Sequence, residues 1–464
     1  MPELYARQEQ DPEKHLKEGV VETRPLGDNE GGLRPVVADA FALKEGEDGV
    51  DMKDMGWIKA GLVATCEAIA LGTLSFPSTF HRLGLVGGFL ANLLFVILAY
   101  PYVMNVADCG GVMFGKWGAR VFGVFILAKS IGLASSHVLA GKIAVASFDD
   151  TGICTVAWAV VIAAVSCIMS LPRKWSGLVP MSVASLTCIV VACIITMVAA
   201  SKQDPASLIK NNQPIAWKSF NYDVTLSEAV GGITNCIFAY GGNMAVFSFL
   251  PEMREPRKFT RSILIMQSTQ LIIYSIVGGV VYSYGGQYVT SPALSMIPRT
   301  PRIVAYAFAL VTIIVSGVVA VNVGAKYAFV AIFRDTPILT SKGFKAKASW
   351  TLILVGMWVV GFVLAELIPF FNQLLTIVSA LCSTWFVCGL GGICYLHLIN
   401  PRLPENANNG GWLASPGRIV MIVVSLILIA ISCVITPLGL YSAIKGIIDG
   451  YSNGTFHHPF TCAA

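Results

Sequence analysis

Long apolar runs, separated by short polar spacers, fill the chain from residue 57 to about residue 443. A helix needs about 20 apolar residues to cross the hydrocarbon layer of a membrane. Measured against that length, the chain predicts eleven membrane-spanning helices, at residues 57–80, 84–107, 120–147, 154–171, 178–199, 226–250, 262–284, 302–332, 349–368, 371–398 and 416–443. We therefore expect an all-α membrane protein with one transmembrane domain over residues 57–445.

The two ends of the chain have a different composition. Residues 1–56 are rich in Glu, Asp, Lys, Gly and Pro and show no apolar periodicity, which predicts a disordered cytoplasmic tail without a signal peptide. The tail is either a solvated linker or a regulatory segment with ubiquitin-acceptor lysines at Lys14, Lys17, Lys44 and Lys53. Residues 446–464 are expected to form a short extracytoplasmic tail.

Composition supports a protein folded in lipid. Only 13% of the residues are charged, against about 25% in soluble domains, and the mean hydropathy is +0.69. The net charge of +5 does not indicate a nucleic-acid partner, because the basic residues flank the apolar runs. Most of the twelve cysteines lie singly within apolar runs, so we interpret them as packing residues and expect neither a metal nor a cofactor.

Basic residues in the loops predict the orientation. With the amino terminus inside, six lie in external loops: Arg82, Lys202, Lys210, Lys218, Arg299 and Arg302. Fourteen lie in cytoplasmic loops: Lys116, Arg120, Arg173, Lys174, Arg254, Arg257, Lys258, Arg261, Arg334, Lys342, Lys345, Lys347, Arg402 and Arg418. We expect a cytoplasmic amino terminus, an external carboxyl terminus and a plasma-membrane rather than vacuolar location.

Two spans contain sequences that disfavour a continuous helix. The first carries Gly72 and Pro77 near its middle, and the sixth carries Gly241 and Gly242 at its centre and Pro251 at its end. Unwound helices at these points would direct amide groups toward a carboxylate and carbonyl groups toward an amine, as an amino acid requires. Glycine and proline also serve helix packing in membranes, but two such sites five helices apart favour a binding site between inverted repeats.

The same positions carry a family resemblance. Gly72-x-x-x-x-Pro77, followed by Phe80 and Gly84, is similar to the opening of the amino acid/auxin permease family. The chain also resembles this family at a second motif, which comprises Phe238-Ala239-Tyr240-Gly241-Gly242, Phe247, Pro251-Glu252-Met253, Pro256 and Phe259. Within the family, the chain most resembles fungal neutral amino acid permeases of the methyltryptophan-resistance type, although the family often has glycine at the position of Ala70.

The resemblance implies a fold, a function and a site. The fold would be the five-plus-five inverted repeat of the leucine transporter, with discontinuous helices 1 and 6 and an added eleventh helix. The function would be import of neutral amino acids by a proton- or sodium-coupled symporter; an amino acid sensor of the same fold is the alternative. The substrate backbone would lie against Ala70, Leu71, Gly72, Thr73 and Leu74, and its side chain against Phe238, Ala239, Tyr240, Gly241 and Gly242.

Ionisable residues inside the spans are costly in lipid and therefore indicate function. Glu67 and Lys129 lie at similar depths in the first and third spans, which would touch in the resembled fold. We therefore expect an ion pair that either clamps the two helices or serves proton acceptance or gating. Asn322 and Lys326 share a helix face. In the resembled fold this helix would face the break of the first helix, where sodium-coupled relatives hold a cation. The Lys326 ammonium would then either replace the sodium ion, favouring proton coupling, or extend to the membrane interface.

Other candidates receive less weight. Lys142 is expected to extend to the interface and Glu366 to have no special role. Glu252, beside Arg254 and Arg257, is expected to lie in a solvated loop, with a cytoplasmic salt-bridge gate as the alternative. His137 either faces the pathway or helps to hold helices together. A channel would need a continuous path lined by polar residues, and the sequence does not indicate one. An intramembrane enzyme would need a His-Glu-x-x-His cluster or a Ser–Lys dyad, and neither is evident.

Overall fold

The computed structural model describes residues 23–25, 33–35, 55–99, 106–148, 152–204, 214–242, 249, 252–255, 258–333, 336–339, 341–368, 370–400, 415–453 and 459–462. Thr23–Pro25 pairs antiparallel with Leu33–Pro35, and the other named elements of the described residues are helical. The rest of the predicted disordered tail, up to residue 54, lies outside the described residues.

Apart from short 3-10 turns, the described residues form eleven helical segments in chain order. They are α1 (Trp57–Leu83), α2 (Leu85–Ala99), α3 (Val106–Ala146), α4 (Thr155–Met169), α5 (Val179–Lys202), α6 (Leu226–Ala239), α7 (Phe259–Gly285), α8 (Arg299–Phe333), α9 (Phe344–Leu367), α10 (Phe371–Val378, continued through Ser379–Ser383, Trp385–Gly389 and Leu390–Leu398) and α11 (Pro416–Ser452). Eight helices of the described chain are long and apolar enough to cross a membrane. The expected all-α fold with about eleven helices is confirmed.

Several helix boundaries differ from the expectation. Helix α3 begins at Val106, well before residue 120, and α11 continues to Ser452, so residues 446–452 are helical rather than part of a tail. Hydropathy measures only the stretch that is apolar enough for lipid, and a helix continues past that stretch wherever its backbone remains hydrogen-bonded.

Contacts between helices follow a repeat of five. Helices that lie five apart in the chain contact each other: α1 contacts α6, α2 contacts α7, α3 contacts α8, and α4 contacts α9. Each of two contacts between the halves also has its counterpart five helices along. Helix α1 packs on α7, and α6 packs on α2; likewise α5 packs on α8, and α10 packs on α3. A repeat of five membrane crossings is necessarily inverted in its second copy, which is the five-plus-five arrangement expected from the sequence.

Helix α1 is continuous, so the predicted break at Gly72 is wrong. Pro77 removes a single backbone donor. The hydroxyl groups of Ser75 and Ser78 donate to the carbonyls of the residues three positions earlier, at 3.1 and 2.7 Å, which supports the backbone around the proline. The ring of Phe76 stacks on Tyr274 of α7 at 4.6 Å, fixing this stretch against a neighbouring helix.

Helix α6 does end where the sequence predicts. It starts with a capping box between Thr225 and Glu228 and stops at Ala239. The chain then turns, with the Gly241 amide donating to the Phe238 carbonyl at 2.9 Å. The end of α6 therefore lies inside the bundle, where its carbonyl groups need partners from other helices.

Candidate functional site

A small cavity lies between the middle of α1, α3 and the end of α6. Its free space is about that of one water molecule. It is lined by Glu67, Ala68, Leu71, Gly72, Lys129, Leu133, His137, Phe238, Ala239, Gly241 and Gly242. An amino acid is larger than this space, so the bundle is closed around the cavity and must open to admit one.

Helix α7 supplies the partners that the end of α6 lacks. Gln270 Nε2 lies 2.9 Å from the Ala239 carbonyl oxygen, and the Tyr274 hydroxyl lies 3.2 Å from the same atom and 2.6 Å from the Ala68 carbonyl oxygen. A Cβ atom at Gly72 would come within 2.5 Å of that hydroxyl. The glycine therefore leaves room for Tyr274 to join α1 to α6, rather than breaking α1.

Two oppositely charged residues line the cavity without pairing with each other. Lys129 Nζ donates to the Gly241 carbonyl just beyond α6, where the carbonyl groups of a helix end carry partial negative charge. Glu67 Oε2 is buried and has no hydrogen-bond partner. The predicted Glu67–Lys129 ion pair is therefore wrong as a contact, although both side chains lie at the same cavity.

His137 is a third polar residue of the lining. Its Nδ1 atom is buried without a hydrogen-bond partner, and its ring faces the Ile313 carbonyl of α8. Gly317 of α8 admits the ring, since a Cβ atom there would lie 3.0 Å from the His137 Cβ. Sequence reasoning gave this histidine little weight because nothing local distinguishes a cavity-facing side chain from a packed one.

The predicted substrate residues separate into two groups. Those that line the cavity are Leu71, Gly72, Phe238, Ala239, Gly241 and Gly242. Ala70, Thr73 and Leu74 are buried in α1 outside the cavity lining. The Tyr240 hydroxyl points away to α2, where it donates to Asn92 Oδ1.

A second polar cluster lies at the end of the bundle where α1 begins. Lys326 Nζ pairs with Glu252 Oε1 and lies 4.2 Å from the centre of the Trp175 ring, while Glu252 Oε2 accepts from the Trp175 amide at 3.3 Å. The expectation of a solvated Glu252 is wrong, and so is that of an interfacial Lys326. Both side chains are buried, and each neutralises the charge of the other. Asn322 is not part of this pair; its Nδ2 donates to the Val318 carbonyl at 2.9 Å.

The same end is closed by the segment that precedes α1. Met55 forms a parallel β-bridge with Met253, through hydrogen bonds of 3.1 Å to the Glu252 carbonyl and 3.0 Å from the Arg254 amide. The Trp175 ring packs edge-on against Phe249 at 4.5 Å. Four parts of the chain therefore meet here: the start of α1, the approach to α5, the segment after α6, and α8.

Two further links occur near the other end of the bundle. Lys142 of α3 and Glu366 of α9 form a buried ion pair of 2.7 Å, so Lys142 does not extend to the interface and Glu366 does have a partner. Cys154, just before α4, forms a disulfide with Cys462 near the carboxyl terminus. Sequence spacing gave no indication of a bond between residues 308 positions apart.

The helical bundle and its enclosed, charged cavity define a polytopic membrane transporter. Within the part of the chain that the structure describes, no cluster of His, Cys, Asp and Glu is placed to hold a metal ion. The chain belongs to the family described as transmembrane amino acid transporter proteins, whose model matches residues 53–437. The resemblance to amino acid permeases is thereby confirmed.

Individual relatives come from filamentous fungi. The chain is 29% identical to the "N amino acid transport system protein" of Neurospora crassa, with 88% of each chain covered. It is 24% identical to a "Transmembrane transporter" of Fusarium pseudograminearum, covering 91% of this chain and 90% of the relative. Among solved structures, a Na+-coupled sialic acid symporter is similar at a TM-score of 0.49 and 10% identity, covering 88% of this chain and 92% of the other.

Proposed function

We propose that this protein is a secondary active symporter that imports neutral amino acids together with protons by alternating access across the plasma membrane. The observation that carries the proposal is the closed cavity at the end of α6, which holds one ammonium and one carboxyl group that do not neutralise each other. A zwitterion offers a carboxylate to the ammonium group, and its own ammonium group can donate a hydrogen bond to an oxygen of the carboxyl group whether or not that group is protonated. The other lining side chains are mostly apolar, which favours a neutral substrate side chain.

Glu67 is the group we assign to proton coupling. A buried carboxylate oxygen without a hydrogen-bond partner is costly, and uptake of a proton removes much of that cost. Closure of the cavity around Glu67 therefore favours the protonated form, and opening to water favours release. Such a cycle links proton movement to the opening and closing of the site.

The disulfide and the basic loops support the orientation. Disulfides persist in oxidising compartments, and both Cys154 and Cys462 fall on the external side if the amino terminus is cytoplasmic. The cluster around Glu252 and Lys326 would then close the cytoplasmic end of the pathway.

Reconstituted vesicles test this function. Purified protein would be assayed for uptake of a panel of radiolabelled amino acids, with proton and sodium gradients imposed separately. We expect concentrative uptake of neutral amino acids that requires a proton gradient, stops with a protonophore and is unchanged without sodium. Saturable binding without any uptake would instead identify an amino acid sensor, and uptake driven by sodium alone would contradict proton coupling.

A further inference from the structure

Three lysines are buried in the described helices, and one of them differs from the others. Lys142 pairs with Glu366 and Lys326 pairs with Glu252, so each of these charges is neutralised by a buried carboxylate. Lys129 is only 1% exposed, yet its one described hydrogen bond goes to the neutral carbonyl of Gly241.

Burying an ammonium group without an anion is expensive. If Lys129 served only to hold α3 against α6, a neutral donor would form the same hydrogen bond at a lower desolvation cost. An ammonium group also has three donors, of which the Gly241 carbonyl occupies one. The remaining donors belong to a side chain that lines the cavity.

We infer that Lys129 binds the carboxylate of the transported amino acid, exchanging the Gly241 carbonyl for it. This inference rests on the proposed function, because it places the substrate in the cavity between α1, α3 and α6. An ionised acceptor forms a stronger hydrogen bond with an ammonium group than a neutral carbonyl does, so the exchange is favourable. Because α1 is a continuous helix, its backbone amides are bonded within the helix, so the carboxylate needs a donor from elsewhere in the lining.

The exchange also alters the protein. In the closed, empty cavity the bond from Lys129 ties α3 to the turn that follows α6. Once the ammonium group turns to the substrate, that turn loses its tie to α3. Occupancy of the site is thereby communicated to the end of α6, which borders the cavity.

Binding of leucine and of leucinamide to the purified protein in detergent tests the inference. The two probes differ only in the carboxylate, which is a neutral amide in leucinamide. For the wild-type protein we expect leucine to bind about 10- to 100-fold more tightly, the range of a hydrogen bond to a charged group. Lys129→Gln should lose that preference by weakening leucine alone, and Lys129→Arg should retain much of it.

Lys142→Gln combined with Glu366→Gln is the matched control, because it removes a buried lysine of the same helix together with its partner. This double variant should keep the preference for leucine. Equal weakening of both probes by Lys129→Gln, or no preference in the wild-type protein, would overturn the inference in favour of a structural role. Selective binding of leucine without uptake would leave it standing while refuting the proposed transport.

Discussion

Lys326 and Glu252 form an ion pair in which the side chains are only 8% and 0% exposed. The pair joins α8 to the segment after α6, and through the Trp175 amide also to the approach to α5. Because Met55 is hydrogen-bonded to the Glu252 carbonyl and to the Arg254 amide, the segment that leads into α1 is part of this closure. Opening of this end requires these contacts to separate.

Neutralising one member of the pair should destabilise the protein strongly. Glu252→Gln leaves the Lys326 ammonium buried without its anion, which costs about 3–5 kcal/mol in comparable buried pairs. Thermal unfolding in detergent should show a marked decrease in the midpoint. Adding Lys326→Met to Glu252→Gln should recover most of the loss, since no unpaired charge remains.

The Glu255–Lys258 pair provides the comparison. It lies nearby with a 2.6 Å contact, but its side chains are 58% and 38% exposed. Lys258→Met should therefore change stability by less than about 1 kcal/mol. Equal effects of Glu252→Gln and Lys258→Met would show that the buried pair contributes nothing special.

Gly72→Ala should reduce transport sharply although α1 is a continuous helix. The new Cβ would lie 2.5 Å from the Tyr274 hydroxyl, displacing its hydrogen bonds to the Ala68 and Ala239 carbonyls. Tyr274→Phe in the same chain should partly relieve the clash. Gly356→Ala in α9 is the control, because nothing lies within 4 Å of its added Cβ and alanine favours a helix. Wild-type uptake by Gly72→Ala would refute this explanation of the glycine.

Glu67→Gln should separate substrate movement from proton movement. Glutamine resembles the protonated carboxyl group but cannot release a proton. We expect exchange of labelled for unlabelled amino acid at equal pH to persist, and accumulation driven by a proton gradient to be lost. Glu255→Gln, at an exposed acid, should preserve both activities. A Glu67→Gln protein that still accumulates amino acid against its gradient would exclude Glu67 as the coupling group.

The Cys154–Cys462 disulfide predicts which side of the membrane both residues face. After mild reduction of intact cells, a membrane-impermeant thiol reagent should label both cysteines. The Cys154→Ser/Cys462→Ser double variant gives the background from the remaining cysteines. Labelling that requires permeabilised cells would contradict the external position at the plasma membrane.

The number and order of the helices could be predicted because each apolar run reports its own length. The role of Gly72 in α1 could not, because it involves Tyr274, a residue about two hundred positions further along the chain whose hydroxyl reaches the Ala68 carbonyl. The sequence indicates a helix break at Gly72, whereas the structure shows the close approach of another helix there.

The charged residues show the same limit. Glu67, Lys129 and Lys326 were recognised as functional candidates because ionisable groups are rare in membrane spans. The partners of the two lysines could not be predicted, because Lys326 pairs with a residue 74 positions away and Lys129 donates to a backbone carbonyl. Depth in a helix can be counted from sequence, whereas the direction of a side chain depends on how the helices pack.

Substrate preference tests most directly whether the cavity holds the amino acid. Leu133→Ala enlarges the cavity, because Leu133 is one of its lining residues. Leu139→Ala removes the same atoms from a buried position of α3 that does not line the cavity. We predict that Leu133→Ala shifts the ratio of kcat/KM toward larger neutral amino acids and that Leu139→Ala leaves the ratio unchanged. An unchanged ratio in a folded Leu133→Ala protein, with the wild-type order of substrates, would contradict the account.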